Sequence, residues 1–160
     1  MMKRYSVYTD GSYTKGSCCV SGGIVIIDDD TKELLTVRQV FSSKGDFVEM
    51  RNAGGEVVAA CWGIQEAVMM ANNESARVTV YYDYTGVANF ITGSWTPRKK
   101  GMILYRDIIR KIMIHNKNVE IKFVKVKAHT GVKYNELADC AARAMVPEEF
   151  RYALKDTHSL

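Results

Sequence analysis

Four acids in this sequence, Asp10, Glu56, Asp83 and Asp139, stand where carboxylates could act together. Asp10 closes a strand-like run, Tyr5 to Thr9, and Asp83 closes another, Arg77 to Tyr82. Glu56 falls in the opening turn of one segment with apolar periodicity and Asp139 in the first turns of a second. Carboxylates gathered closely repel and raise one another's pKa unless cations neutralise them. A set made only of oxygens suits magnesium better than zinc, because magnesium takes a few carboxylates and completes its shell with water and phosphate oxygens. Taken singly, each acid has an ordinary explanation. Asp10-Gly11-Ser12 is a common turn, Asp83 can cap a following helix, and an acid in the first turn of a helix is favoured by the helix dipole. The deciding question is whether the chain brings them to one place.

The order of elements predicts that it does. The segments Tyr5–Thr9, Cys18–Ile27 and about Glu33–Phe41 read as strands, the second ending at the turn-forming triplet Asp28-Asp29-Asp30. Their connections are too short for a helix, so they form an antiparallel meander. The period then changes. Val57, Ala60, Cys61, Ile64, Ala67, Val68 and Ala71 recur at spacings of three and four, the buried face of a helix beginning near Asn52. Gly54 and Gly55 in its first turn are costly for a helix and predict that something approaches the backbone there. Arg77–Tyr82 is a fourth strand, followed by a short helix over Thr85–Ile91 and a Trp/Pro/Lys loop. Leu104, Tyr105, Ile108, Ile109, Ile112 and Met113 define another helix, and Val119–Val126 a fifth strand. The last helix carries Leu137, Ala138, Ala141 and Met145 and ends at Pro147, leaving a polar tail with a helical turn or two. This order predicts an α/β fold: a five-stranded mixed sheet flanked by helices, with strands one to three antiparallel and strands one, four and five parallel. Ligands bind such sheets at the carboxyl ends of the parallel strands, the edge from which Asp10 and Asp83 emerge.

Composition sets outer bounds. The 160 residues and 47% apolar content suit one domain, read here as residues 1–146 with 147–160 as its own C-terminal tail. No run of about 18 apolar residues could span a bilayer, and the N-terminus passes directly into a strand-like segment, so a cytoplasmic protein without membrane association is expected. Cys18, Cys19, Cys61 and Cys140 show no C-x-x-C spacing and lie in apolar segments, as reduced core thiols do. A net charge of +4 permits a polyanionic partner without requiring one. Positive charge concentrates in the second half, at Arg98-Lys99-Lys100, Arg110-Lys111, and Lys122, Lys125, Lys127 and Lys133. No exposed apolar repeat calls for a partner, so a monomer is expected.

Five segments resemble motifs of one family. Tyr8-Thr9-Asp10-Gly11-Ser12 resembles the first motif of type 1 ribonucleases H, and Met50-Arg51-Asn52-Ala53-Gly54-Gly55-Glu56 resembles the motif that delivers the family's glutamate. Tyr81-Tyr82-Asp83-Tyr84 stands at the place of the second aspartate. His129-Thr130-Gly131 and Asn135-Glu136-Leu137-Ala138-Asp139 resemble the final block, and order and spacing agree over about residues 4 to 146. Two departures stand out. The commoner form has Asn-Asn-x-x-Glu before the helix and Asp-Ser after the fourth strand; Asn52-Ala53-Gly54-Gly55-Glu56 and Asp83-Tyr84 are similar instead to a subgroup built on Arg-Asn-x-x-Gly-Glu. Thr92 to Gly101 is too short for the basic protrusion of some members.

The resemblance implies an endonuclease that hydrolyses the RNA strand of an RNA–DNA hybrid by a two-metal-ion mechanism, leaving 5′-phosphate and 3′-hydroxyl ends. It implies two Mg2+ ions, with Mn2+ as a possible substitute, at Asp10, Glu56, Asp83 and Asp139, and His129 assisting proton transfer or product release. Gly11, Ser12, Asn52 and Glu56 would read the ribose 2′-hydroxyl, the group that separates RNA from DNA. Arg51, Asn52, Trp95 and Lys100 would hold the complementary strand, although Trp95 packing into the core explains that residue equally well. Two other readings remain open: a nuclease of related fold acting on DNA, and a non-catalytic nucleic-acid-binding module. The Asp, Glu, Asp, Asp order with a histidine before the last acid speaks against the first, and retention of all four acids against the second.

Overall fold

The computed structural model describes residues 2–127 and 133–160. The sheet is built from β1 (Lys3–Ser12), β2 (Val20–Asp28), β3 (Leu34–Ser42), β4 (Ala76–Tyr82), β5 (Val119–Lys125) and β6 (His158–Ser159), in the order β5-β4-β1-β2-β3-β6. β1 to β3 form the antiparallel meander, and β4 and β5 join β1 in parallel. The helices are α1 (Gly45–Val48), α2 (Asn52–Ala71), α3 (Gly86–Thr92), α4 (Lys100–His115) and α5 (Lys133–Ala142). The mixed α/β architecture is the expected one.

Alternation along β1 and β4 assigns side chains to two faces. Tyr5 and Val7 on β1, with Val78, Val80 and Tyr82 on β4, face a large core shared with α2, α3 and α4. α2 is buried over most of its circumference, with Val57, Ala60, Ile64, Ala67 and Ala71 all at 0% exposure, so it serves as the central beam of that layer. The opposite face carries a smaller core in which Leu137, Ala138 and Ala141 of α5 pack on Val25 and Ile27 of β2 and on Val37 of β3. The glycines hold the layers close. A Cβ on Gly23 would lie 1.8 Å from the Ala138 carbonyl oxygen, so α5 lies backbone to backbone on β2 only because that position is glycine.

The structure departs from the sequence expectations in several places: α1 was not expected, and β1 runs on past Asp10 to Ser12. The sheet has six strands instead of five: His158 and Ser159 pair in parallel with Val40 and Phe41. Leu160 N–H donates to the Phe41 carbonyl, and Ser42 Oγ donates to the Leu160 carbonyl. Two residues carry no alternation to read. α5 ends at Ala142, before the expected stop at Pro147, because Ala144 turns into the left-handed region at φ 55°. Met145 N–H then reaches the Cys140 carbonyl and Ala144 N–H the Ala141 carbonyl, the paired bonds of a Schellman cap. Met145 is consequently exposed rather than part of the buried face. Of the cysteines only Cys61 is buried; Cys18 is exposed, and Cys19 and Cys140 are half-buried, since β2 begins two residues after Cys18. The expected turns of the tail appear as a 3-10 helix over Glu148–Ala153. Among the described residues, no helix is long and apolar enough to cross a membrane.

Candidate active site

β1 and β4 run in parallel with Tyr8 level with Tyr81, so Asp10 and Asp83, each two residues further on, leave the same edge of the sheet. α2 starts against this edge. A Cβ on Gly55 would lie 2.2 Å from the Ser21 carbonyl oxygen, and one on Gly11 would lie 2.4 Å from both the Asn52 oxygen and the Glu56 nitrogen. The close approach predicted from Gly54 and Gly55 is thus backbone packing of α2 on β1, β2 and α1; at Gly54 the neighbour is the Phe47 carbonyl. Because α2 lies this close, Glu56, only 3% exposed, reaches under the end of β4, where its Oε1 accepts the Asp83 N–H at 3.1 Å. α5 brings Asp139 from the other face.

Asp10, Glu56, Asp83 and Asp139 line one cavity of about 480 Å3, together with Gly11, Ser12, Tyr13, Asn52, Tyr84 and Asn135. Burial pushes the Asp10 carboxyl up to about 6, with the Asp139 charge adding to the effect and a 2.9 Å hydrogen bond from Gly11 N–H opposing it. Burial also raises Glu56 well above the usual carboxylate range, reinforced by the charge of Asp10. Asp139 differs: its Oδ2 accepts from Arg143 Nη2 at 2.7 Å, one turn along α5. Among the described residues no group of three or more acids, histidines or cysteines is drawn together closely enough to hold an ion alone. The carboxylates instead border an open space with excess negative charge. That arrangement fits a hard cation which keeps several waters and accepts further oxygens from a ligand.

Gly11, Ser12 and Asn52 therefore lie with the acids, as expected. Arg51 does not line the cavity. It is exposed beside it, at φ 54°, a backbone conformation that costs an arginine energy. Trp95 lines a second cavity of about 560 Å3 with Met50, Phe90, Arg98, Lys99 and Met102, and Tyr84 belongs to both cavities. Trp95 is partly packed: one edge meets Phe90 and Tyr84 at 5.6 and 6.5 Å between centroids, while 42% of the residue is exposed. Lys100 is exposed at the start of α4 and lines neither cavity. His129 lies outside the described residues. The sequence reading of the site did not assign Tyr13, Ala53, Tyr84, Asn135 or Glu136, which also line the cavity. Among the described residues Asn135 Oδ1 is buried without a hydrogen-bond partner, and its place in the last motif was the available signal; Tyr84 was signalled by following Asp83 directly.

The pattern described as RNase H matches residues 2–146. The chain belongs to the RNase H family. It is accordingly a nuclease and hydrolase of the ribonuclease H class. A Ribonuclease H of Caldicellulosiruptor saccharolyticus is 28% identical, the match covering 92% of this chain and 99% of that protein. Among solved structures, RNase H1 of Halobacterium salinarum superposes with a TM-score of 0.69 at 18% identity, over 89% of this chain and 96% of the other. LC11-RNase H1 in complex with an RNA/DNA hybrid gives 0.66 at 15% identity, over 88% and 97%. At these identities the structural matches establish the shared family fold.

Proposed function

We propose that this enzyme is an endonuclease that cuts the RNA strand of RNA–DNA hybrids, leaving 5′-phosphate and 3′-hydroxyl ends, and that it belongs to the Arg-Asn-x-x-Gly-Glu subgroup without a basic protrusion. The observation that carries this reading is the buried, mutually strained pair Asp10 and Glu56 at one sheet edge with Asp83 and Asp139 around the same cavity. Asp10, Glu56, Asp83 and Asp139 would hold two Mg2+ ions, with Mn2+ able to substitute. When bound, the ions supply Lewis acidity for water attack at a phosphodiester and charge stabilisation for the departing 3′ oxygen.

The chain's own part is placement. Asp10 is fixed by the Gly11 N–H and Glu56 by the Asp83 N–H, so neither acid has to reorganise when cations and phosphate arrive. Gly11, Ser12 and Asn52, with Glu56 behind them, face the cavity where a ribose 2′-hydroxyl would be read. The cavity bounded by Trp95, Arg98 and Lys99, sharing Tyr84 with the acids, suits the DNA strand: an aromatic edge for sugar or base and cations for phosphates. Arg51 and Lys100 would add charge at its margins. His129 would assist proton transfer or product release without ligating. A monomer acting in the cytoplasm completes the proposal. The hybrid bound to LC11-RNase H1 supports the choice of substrate.

The test is cleavage of an end-labelled RNA–DNA hybrid beside single-stranded RNA, duplex RNA and duplex DNA, with magnesium or with EDTA, by wild type and Asp10→Asn. Cutting confined to the RNA of the hybrid, dependent on magnesium and lost in Asp10→Asn, is expected. Cleavage of duplex DNA would point to a DNA-directed nuclease, and magnesium-independent hybrid binding without cleavage to a binding module; either result overturns the proposal.

A further inference from the structure

Four elements carry acids to the site, and α5, which brings Asp139, makes its main contacts with β1, β2 and β3. Asp139 on α5 and Asp83, the residue after β4, therefore share no main seam of packing. A run of tyrosines bridges the gap. Tyr8 precedes Asp10 by two residues and Tyr81 precedes Asp83 by two, so both rings stand on the acids' face of the sheet, about 7 Å below them. Their rings stack at 4.6 Å between centroids and 11° between planes. Tyr134, in the first turn of α5, leans on Tyr8 at 5.7 Å and 48°. Tyr134 is anchored in turn, because Lys133 Nζ lies 5.3 Å from its centroid and 5.4 Å from that of Phe150 in the tail.

We propose that Tyr8, Tyr81 and Tyr134 are positioning residues for the cation site: a stacked spacer that sets how far Asp139 stands from Asp10 and Asp83. The inference rests on the metal-binding reading of the four acids given above. None of the three tyrosines lines the cavity bordered by the four acids. The Gly23–Ala138 contact seats α5 on β2, while Tyr134 on Tyr8 and Tyr8 on Tyr81 set how the start of α5 stands relative to β1 and β4, so an aliphatic side chain at Tyr81 would let the outermost acid shift relative to the others. Sub-ångström displacement of ligating oxygens is enough to weaken a cation that demands near-octahedral geometry.

Tyr81→Leu, Tyr134→Leu and Tyr81→Phe would be compared with wild type by magnesium titration of hybrid cleavage and by calorimetric titration with Mg2+ alone, below each variant's melting temperature. The leucine variants are expected to raise the half-saturating magnesium concentration by about 10- to 100-fold, as loss of supporting groups around a metal does. Their rates at saturating magnesium should recover to near wild type, and Tyr81→Phe should keep the wild-type curve, because stacking and not the hydroxyl sets the spacing. Tyr134→Leu removes only the outer ring and serves if Tyr81→Leu does not fold. Wild-type cleavage that depends on magnesium, with leucine variants that melt earlier but titrate identically, overturns the positioning role alone. A wild type that neither binds magnesium nor cuts the hybrid overturns the metal-site reading and this inference with it.

Discussion

Glu56 is an acid in a place where burial works against its charge, and Asp10 shares the strain. The sign of the resulting pH dependence follows. With Asp10 lifted from 3.8 to about 6, the cation-free folded state holds a proton between those values that the unfolded chain has released. Stability from this group is therefore fully present below about pH 4 and is lost as pH rises through about 6, and Glu56 acts in the same direction. Thermal melts in EDTA should show wild type losing more stability between pH 5 and pH 7.5 than Asp10→Asn does, with saturating magnesium at pH 7.5 restoring the wild type; equal losses would refute the account. Arg143 supplies a second test. It neutralises Asp139 from a partly exposed position, so it competes with any cation for that carboxylate. Arg143→Ala should lower the half-saturating magnesium concentration by about 1.5- to 5-fold, the range of an exposed ion pair. An increase would mean that the arginine orients Asp139 instead. The four acids were legible because each lies near the end of a strand or within a helix, where the element order brings it to one sheet edge. Tyr84 and Asn135 were not assigned, because their significance lies in which cavity they line, and a sequence does not show walls.

At the scale of elements, the position of Glu56 depends on a glycine contact. Gly55→Ala would drive a methyl group to 2.2 Å from the Ser21 carbonyl and push the start of α2 off β1 and β2. Destabilisation of about 1–3 kcal/mol is expected from overpacking, with a loss of hybrid cleavage larger than the melting temperature alone explains, since Glu56 moves with the helix. An alanine variant of full activity would show that the helix start can yield without moving the acid. Helix and strand periods made α2, α4 and β1 to β5 readable in advance. The true end of α5 was not, because Ala144 fills the left-handed cap position that glycine usually marks, and Met145 continues the apolar spacing toward Pro147. β6 escaped for a different reason: two residues become a strand only through the neighbour they pair with.

For the whole molecule, a net charge of +4 is modest for a protein proposed to bind a polyanion. The distribution compensates, with Arg98 and Lys99 beside the second cavity and the acids in the first. Binding through phosphates makes affinity fall with salt, by a logarithmic slope of roughly 0.9 per phosphate neutralised. Hybrid affinity measured from low to moderate salt should therefore fall steadily, and the slope should become shallower in an Arg98→Ala, Lys99→Ala double variant. An unchanged slope would place the DNA contacts elsewhere.

The two tryptophans stand in contrasting surroundings. Trp62 is partly buried, with its ring 4.6 Å from that of His158 in the terminal strand, and its indole nitrogen is shielded from water. Trp95 stands half in water beside Arg98 and Lys99. The chain thus carries two intrinsic fluorophores with separate duties: emission from Trp62 shifts when the terminal strand peels from β3, while emission from Trp95 changes when a ligand fills the groove beside it. Replacing either one with phenylalanine would turn the remaining indole into an optical gauge of a single event.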